Sequence, residues 1–308
     1  MSGAMAGRAS GFIPSPQPGG PSVYFDRLAP AGASARPPIV MIHGGAHTGA
    51  CYRLTADGRP GWADVMAARG YEVIVPDWPG CGRSGYVPSG ELTGEIVCAG
   101  LGALLLSLDR PAVVMTHSMS GAYGWRLLEQ YGDKIDRLVG IAPGPPGNIQ
   151  DAPIVVAEGE GFVEVEKAIR MRLDLNSPYV GPPAFVKRKL IGDSTHFPWE
   201  SFDAYAGTLN PVPQRLLYQR MNVRDSQLKV SDFSKFKDKG VLVMTGSADS
   251  EHPRDWDGAI VDWLNRNGAR ADFIFLSDRS ISGNGHMIMM EDNSDALIGI
   301  VADWLEQP

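Results

Sequence analysis

Apolar and polar positions divide the chain into short runs of two kinds. Residues 22–28 (SVYFDRL) alternate apolar and polar side chains, the two-residue period of a strand with one face in water. Residues 37–43 (PPIVMIH), 71–76 (YEVIVP), 112–116 (AVVMT), 137–142 (RLVGIA), 241–245 (VLVMT) and 273–276 (FIFL) are instead nearly continuous apolar runs. Such runs suit strands covered on both faces, as in a parallel sheet. Between them, residues 62–69, 91–108, 119–131, 256–267 and 293–305 carry apolar side chains at helical spacing. Strand and helix therefore alternate, and the expected fold class is α/β, a doubly wound and mostly parallel sheet.

The alternation lapses between residues 144 and 239, where aromatic and proline clusters such as Phe197-Pro198-Trp199 and Phe202-Asp203-Ala204-Tyr205 replace it. This stretch is expected to be an inserted, mostly helical lid, with residues 22–143 and 240–308 forming the core domain. Residues 1–21 are rich in glycine and proline and lack an apolar core of signal-peptide length, so a flexible arm is expected there.

In a sheet of this kind ligands sit at the carboxyl ends of the strands, and glycine-rich turns follow several of them. Residues 113–122 (VVMTHSMSGA) run from a buried strand through a small-residue corner into a helix. A serine at such a corner has its hydroxyl pushed clear of the backbone, beside the first N–H groups of the helix, which is what acyl transfer needs. The usual pattern is G-x-S-x-G; here Thr116 and Ser120 flank Ser118, and taken alone the stretch also fits a helix start capped by Ser118 or Ser120. Hydroxyls at Thr116 and Ser120 are expected to lie near the reacting oxygen or the acid side of the site.

A serine nucleophile requires a base, and the base requires an acid to hold its tautomer. His286 lies in a glycine-rich loop, residues 281–287 (ISGNGHM), after the last strand and before the last helix, and can return over the sheet edge toward Ser118. His117 points the wrong way, His43 suits a structural hydrogen bond, His196 sits in the lid, and His47 and His252 lack supporting context. Asp249, in residues 245–253 (TGSADSEHP), stands at a strand end between serine and histidine; Glu251 is the nearest rival and Asp278 a more distant one. The oxyanion of a tetrahedral intermediate needs two preorganised donors. The N–H of Met119 supplies one, and the loop of residues 43–49 (HGGAHTG) supplies the other, from Gly45 or, as second choice, Ala46.

Composition narrows the partners. The chain has 308 residues, 44% hydrophobic and 20% charged, a balance ordinary for a globular enzyme. Its formal net charge of -7, with no basic run interleaved with aromatics, argues against nucleic acid or an anionic membrane surface. No run approaches the roughly 18 apolar residues of a membrane span. Three cysteines, Cys51, Cys81 and Cys98, show neither metal-ligand spacing nor a disulfide framework, and suit a reducing compartment, hence a cytoplasmic location. Neither a metal nor another cofactor is expected. A homodimer is one assembly the sequence leaves open.

Taken together, HGGAHTG, DWPGCGRSG, THSMSG, TGSADSEHP and GNGHMIMMEDN occur in the order of an α/β-hydrolase-fold serine hydrolase, which the chain resembles from about residue 22 to residue 305. Within that fold it is most similar to bacterial esterase-like proteins with HGG, D-G-R-x-G-W, T-H-S-x-S-G and G-N-G-H-M motifs. The resemblance implies a cofactor-independent hydrolase of a small-molecule carboxylic ester or lactone. Many proteins of that group carry a glutamate as triad acid just after the strand that follows the elbow helix, where this chain has Ala142. Asp249 is then expected to serve instead. Ala46 and the lid aromatics, with Trp199 and Phe202 foremost, are expected to contact substrate, although each aromatic equally suits the lid's own core. Carbon–carbon bond hydrolysis or acyl transfer would use the same residues, and a ligand receptor without turnover is the alternative outside enzymes.

Overall fold

The computed structural model describes residues 7–30, 32, 34–167 and 169–307. In chain order the first half holds strands β1 (Arg8–Ile13), β2 (Val23–Leu28), β3 (Ile39–Ile42), β4 (Val73–Pro76), β5 (Ala112–His117) and β6 (Ile135–Ile141), with helices α1 (Trp62–Ala68), α2 (Gly94–Leu106) and α3 (Ser120–Tyr131) between them. After an insertion come β12 (Gly240–Thr245), α7 (Arg254–Arg266), β13 (Arg270–Phe275) and α8 (Ser294–Leu305). The insertion itself carries strands β7 (Ile154–Gly159), β8 (Phe162–Glu166), β9 (Arg170–Asp174), β10 (Pro178–Tyr179) and β11 (Val212–Pro213), and helices α4 (Pro183–Phe185), α5 (Phe202–Ala206) and α6 (Gln214–Arg220).

Eight strands form one sheet in the order β1-β2-β4-β3-β5-β6-β12-β13. From β4 onward every pairing is parallel, and at one edge β2 runs against the rest, pairing antiparallel with both β4 and β1. All residues of β3, β4 and β5 are buried, as strands covered on both faces must be. Side chains such as Met41, Val75 and Met115 pack on one face with α1 and α8, and Val40, Val114 and Leu138 pack on the other with α2, α3 and α7. No helix among the described residues is long and apolar enough to cross a membrane.

Two features differ from expectation. Part of the segment expected to be a flexible arm, residues 1–21, is β1, paired with β2 over six residues. Its order comes from the backbone ladder and from polar ties, Ser10 Oγ to Asp26 at 2.7 Å and Arg8 to Asp64 at 2.5 Å, rather than from apolar burial. Residues 1–6 of that segment lie outside the described residues. The insertion contains the expected helical pieces, but β7, β8 and β9 also form a three-stranded antiparallel sheet, closed over a small core of Val163, Val165, Leu173 and Val223.

Candidate active site

The chain turns from β5 into α3 at Ser118, whose φ of 53° lies in the left-handed region. A non-glycine residue is held there only if its surroundings impose it. Ser118 N donates to Ile141 O at 3.1 Å, and Ser118 O accepts from Gly121 N at 2.9 Å and Gly144 N at 2.7 Å. Close approach at this corner depends on glycines placed differently from G-x-S-x-G: a Cβ on Gly121 would lie 2.5 Å from Gly144 N, and one on Gly124 would lie 2.9 Å from Thr116 Cγ2.

The hydroxyls of Thr116 and Ser120 are turned to the backbone rather than to Ser118. Ser120 Oγ accepts from His117 N at 2.9 Å and faces the carbonyls of Ile42 (3.0 Å) and His117 (2.9 Å), while Thr116 Oγ1 lies 3.4 Å from Val139 O. Ser120 therefore joins the end of β3 to the elbow. Fully buried, it is better satisfied by these groups than by any role in the pocket.

Beyond β3, the glycine loop crosses the elbow. A Cβ on Gly44 would sit 3.0 Å from Ser118 Cβ, and one on Gly45 would sit 3.1 Å from Met119 Cε. The N–H groups of Gly45 and Met119 find no backbone acceptor among the described residues. Ala46 has a φ of 63°, and its carbonyl accepts from Asn210 N of the insertion at 2.8 Å. Buried histidines brace the loop: His43 Nδ1 donates to Gly44 O and His47 Nδ1 to Gly45 O, both at 2.8 Å. His47 Nε2 accepts from Tyr205 OH at 2.9 Å, and His43 Nε2 from Trp78 N at 3.3 Å. Burial pushes both pKa values down, to about 4 for His43 and about 3 for His47, so both rings are neutral supports.

His286 Nδ1 bonds to Asp249 Oδ2 at 2.6 Å. The loops carrying them fit closely, because Gly246 leaves no room beyond its hydrogen: a Cβ there would lie 2.4 Å from the carbonyl oxygens of Asn284 and Gly285. Glu291 fastens the histidine loop by accepting from Gly285 N (2.7 Å), Asn284 Nδ2 (2.5 Å) and Ser194 Oγ (2.5 Å). Burial opposes the charge on Asp249, yet the facing imidazole of His286 outweighs it and holds the carboxyl well below the usual range. The His286 ring lies 4.7 Å from that of His117, the residue before Ser118, and Nε2 has no partner among the described residues.

His117 donates from Nε2 to His286 O at 3.1 Å and is kept neutral by burial, a structural role. His252, unremarkable in the sequence, stacks on His286 and bonds through Nδ1 to Asp257 Oδ1 at 3.0 Å; Asp257 Oδ2 in turn accepts from Thr245 Oγ1. Its place in the loop that carries Asp249, five residues before Asp257 of α7, was the available signal. Ligand atoms of Asp249, His252 and His286 lie within 4.8 Å of one another, but both Nδ1 atoms are already committed to carboxylates. Glu251 is ion-paired with Lys189 and Asp278 with Arg254, and among the described residues neither carboxylate bonds to a histidine.

In the insertion, Trp199 stacks on Phe202 at 6.2 Å, and Phe197 contacts both Trp199 and Tyr205. Of these rings Tyr205 reaches the glycine loop, through His47. Trp199 is partly exposed, and Phe202 also lies under Lys187.

A family model described as "Alpha/beta hydrolase family" matches residues 39–300. A relative named "Probable secreted lipase phiG", from Fungal sp. (strain ATCC 74256), is 24% identical over 351 residues, covering 93% of this chain and 86% of the relative. Similar solved structures include a bacterial esterase, 18% identical with a TM-score of 0.62 over 98% of this chain and 96% of that one. Another is a serine hydrolase involved in carbazole degradation, 17% identical with a TM-score of 0.62 over 97% and 99% of the two chains. At such identities the structural likeness speaks for the fold.

Proposed function

Because the chain belongs to the alpha/beta hydrolase family, we propose that it hydrolyses small-molecule carboxylic esters or lactones through Ser118, His286 and Asp249. The observation that carries this reading is the 2.6 Å bond from His286 Nδ1 to Asp249, which leaves Nε2 as the free nitrogen of a ring 4.7 Å from that of His117, the residue before Ser118. His286 takes the Ser118 proton as the hydroxyl attacks the carbonyl carbon. Asp249, charged at any pH above the acidic range, holds the tautomer and stabilises the imidazolium. The N–H groups of Met119 and Gly45 receive the oxyanion. Collapse returns the proton to the departing alkoxide and leaves an acyl-enzyme on Ser118, which water then cleaves by the same steps in reverse. Ala142 offers no carboxylate at the end of β6, and Asp249 supplies the acid from beyond the end of β12.

The test is labelling by a fluorophosphonate probe, followed by peptide mapping, together with turnover of ester and lactone series. Modification at Ser118 and turnover abolished in Ser118→Ala are expected. Equal turnover by wild type and Ser118→Ala would end the reading, and product analysis separates hydrolysis from acyl transfer to an alcohol.

A further inference from the structure

Arg220 closes α6 and is half-buried. Its guanidinium lies against Gly144, since a Cβ on that glycine would be 3.2 Å from Nε and 3.5 Å from Cζ. Gly144 N donates to Ser118 O at 2.7 Å, so the cation stands beside the elbow itself. Yet among the described residues the guanidinium has neither a hydrogen bond nor an ion pair. The carboxylates near enough to attract it are engaged elsewhere, Glu251 with Lys189 and Asp257 with His252 and Thr245.

An arginine drawn out of water without an acceptor is costly, and burial accordingly lowers its pKa from the ordinary value. It nevertheless stays cationic at neutral pH and presents a planar fork of donors that matches a carboxylate bidentately. Its position matters as well. In the sheet, β3 with the glycine loop lies on one side of β5, and β6 with Gly144 lies on the other. Gly45 and Gly144 thus reach the elbow from opposite sides of β5, and Arg220 stands on the Gly144 side.

We propose that Arg220 anchors a carboxylate carried by the substrate, so that the preferred substrates are esters or lactones bearing a free acid group. The proposal deepens the serine-hydrolase reading and rests on it. It is tested with two 4-nitrophenyl esters of matched length, the neutral valerate and the hydrogen glutarate, assayed on wild type, Arg220→Gln, Arg220→Lys and Ser118→Ala. Wild type is expected to favour the acidic ester. Arg220→Gln is expected to lower the ratio of kcat/KM for acidic over neutral ester by about tenfold or more, chiefly through KM, with Arg220→Lys recovering part of it. Because the readout is a ratio, a general loss of activity does not imitate it, and a ratio unmoved by Arg220→Gln would overturn the proposal. Turnover that survives in Ser118→Ala would instead count against the serine nucleophile alone. Should neither ester react, calorimetric titration with glutarate decides: binding weakened about tenfold or more in Arg220→Gln supports the anchor, and equal binding or none refutes it.

Discussion

The imidazole of His252 lies nearly parallel to that of His286, with ring centroids 5.1 Å apart and planes 21° from each other. Two His–Asp pairs therefore stand side by side, one of them facing the elbow and the other, His252 with Asp257, buried behind it. Burial disfavours charge on His252, but the Asp257 carboxylate outweighs it and raises the pKa above the ordinary 6.5. A raised folded-state value means the stabilisation is fully present below the unfolded value and fades as pH rises through the folded one. His252→Gln is thus expected to lower Tm more at pH 6 than at pH 9. Thermal unfolding of both proteins across that range checks it, and a gap that widens toward alkaline pH would contradict the pairing.

Asp249→Asn keeps the size of the side chain but removes the charge that orients His286. A fall in kcat of about 10³- to 10⁴-fold is expected, the scale seen when a triad acid is made neutral. Glu251→Gln and Asp278→Asn, whose carboxylates face Lys189 and Arg254, are expected to stay within about twofold of wild type. Steady-state rates on one good ester rank the three variants. A large loss in Glu251→Gln with Asp249→Asn intact would move the acid to the other carboxylate.

Ser118 is held at a φ that favours glycine, so Ser118→Gly is expected to abolish turnover and yet raise stability by about 1 kcal/mol. Ser120→Ala should act in the opposite sense. It leaves His117 N and the Ile42 carbonyl without their buried partner, at a cost of about 1–3 kcal/mol. Urea unfolding of both variants measures the two signs.

Much of the frame was legible because its central strands are short, buried and apolar, with glycine-rich turns after them. Ser118 and Asp249 follow such runs and His286 follows the last strand; the structure joins His286 to Asp249 and sets its ring beside His117, next to Ser118. β1 was not legible, since RASGFI is largely exposed and joins the sheet through its backbone. In the insertion, β7 to β9 do alternate, but aromatic and proline clusters elsewhere in the segment dominated its pattern. What decided the hydroxyl of Ser120 was a carbonyl 78 residues away, and what fixed His47 was a tyrosine 158 residues away. Contacts of that span leave no local trace. The Thr116 departure from the common elbow was readable only once Gly124 was seen to face it.

Glu291 offers the sharpest separation of positioning from chemistry. Its buried carboxylate touches no substrate-facing atom of the elbow, but it accepts from Gly285 N, the donor adjacent to His286, from Asn284 of the same loop and from Ser194 of the insertion. Glu291→Ala strands three buried donors, at about 2–4 kcal/mol of stability, and frees the loop that aims His286. Since imidazole misplacement harms proton transfer more than ground-state binding, kcat is expected to fall about tenfold or more with KM little changed. Glu291→Gln, which keeps one acceptor oxygen, should recover part of both losses. Ester kinetics at a temperature well below the unfolding transition of each variant isolates the effect. A variant that loses stability but keeps wild-type kcat would show that the loop holds His286 in place without this carboxylate.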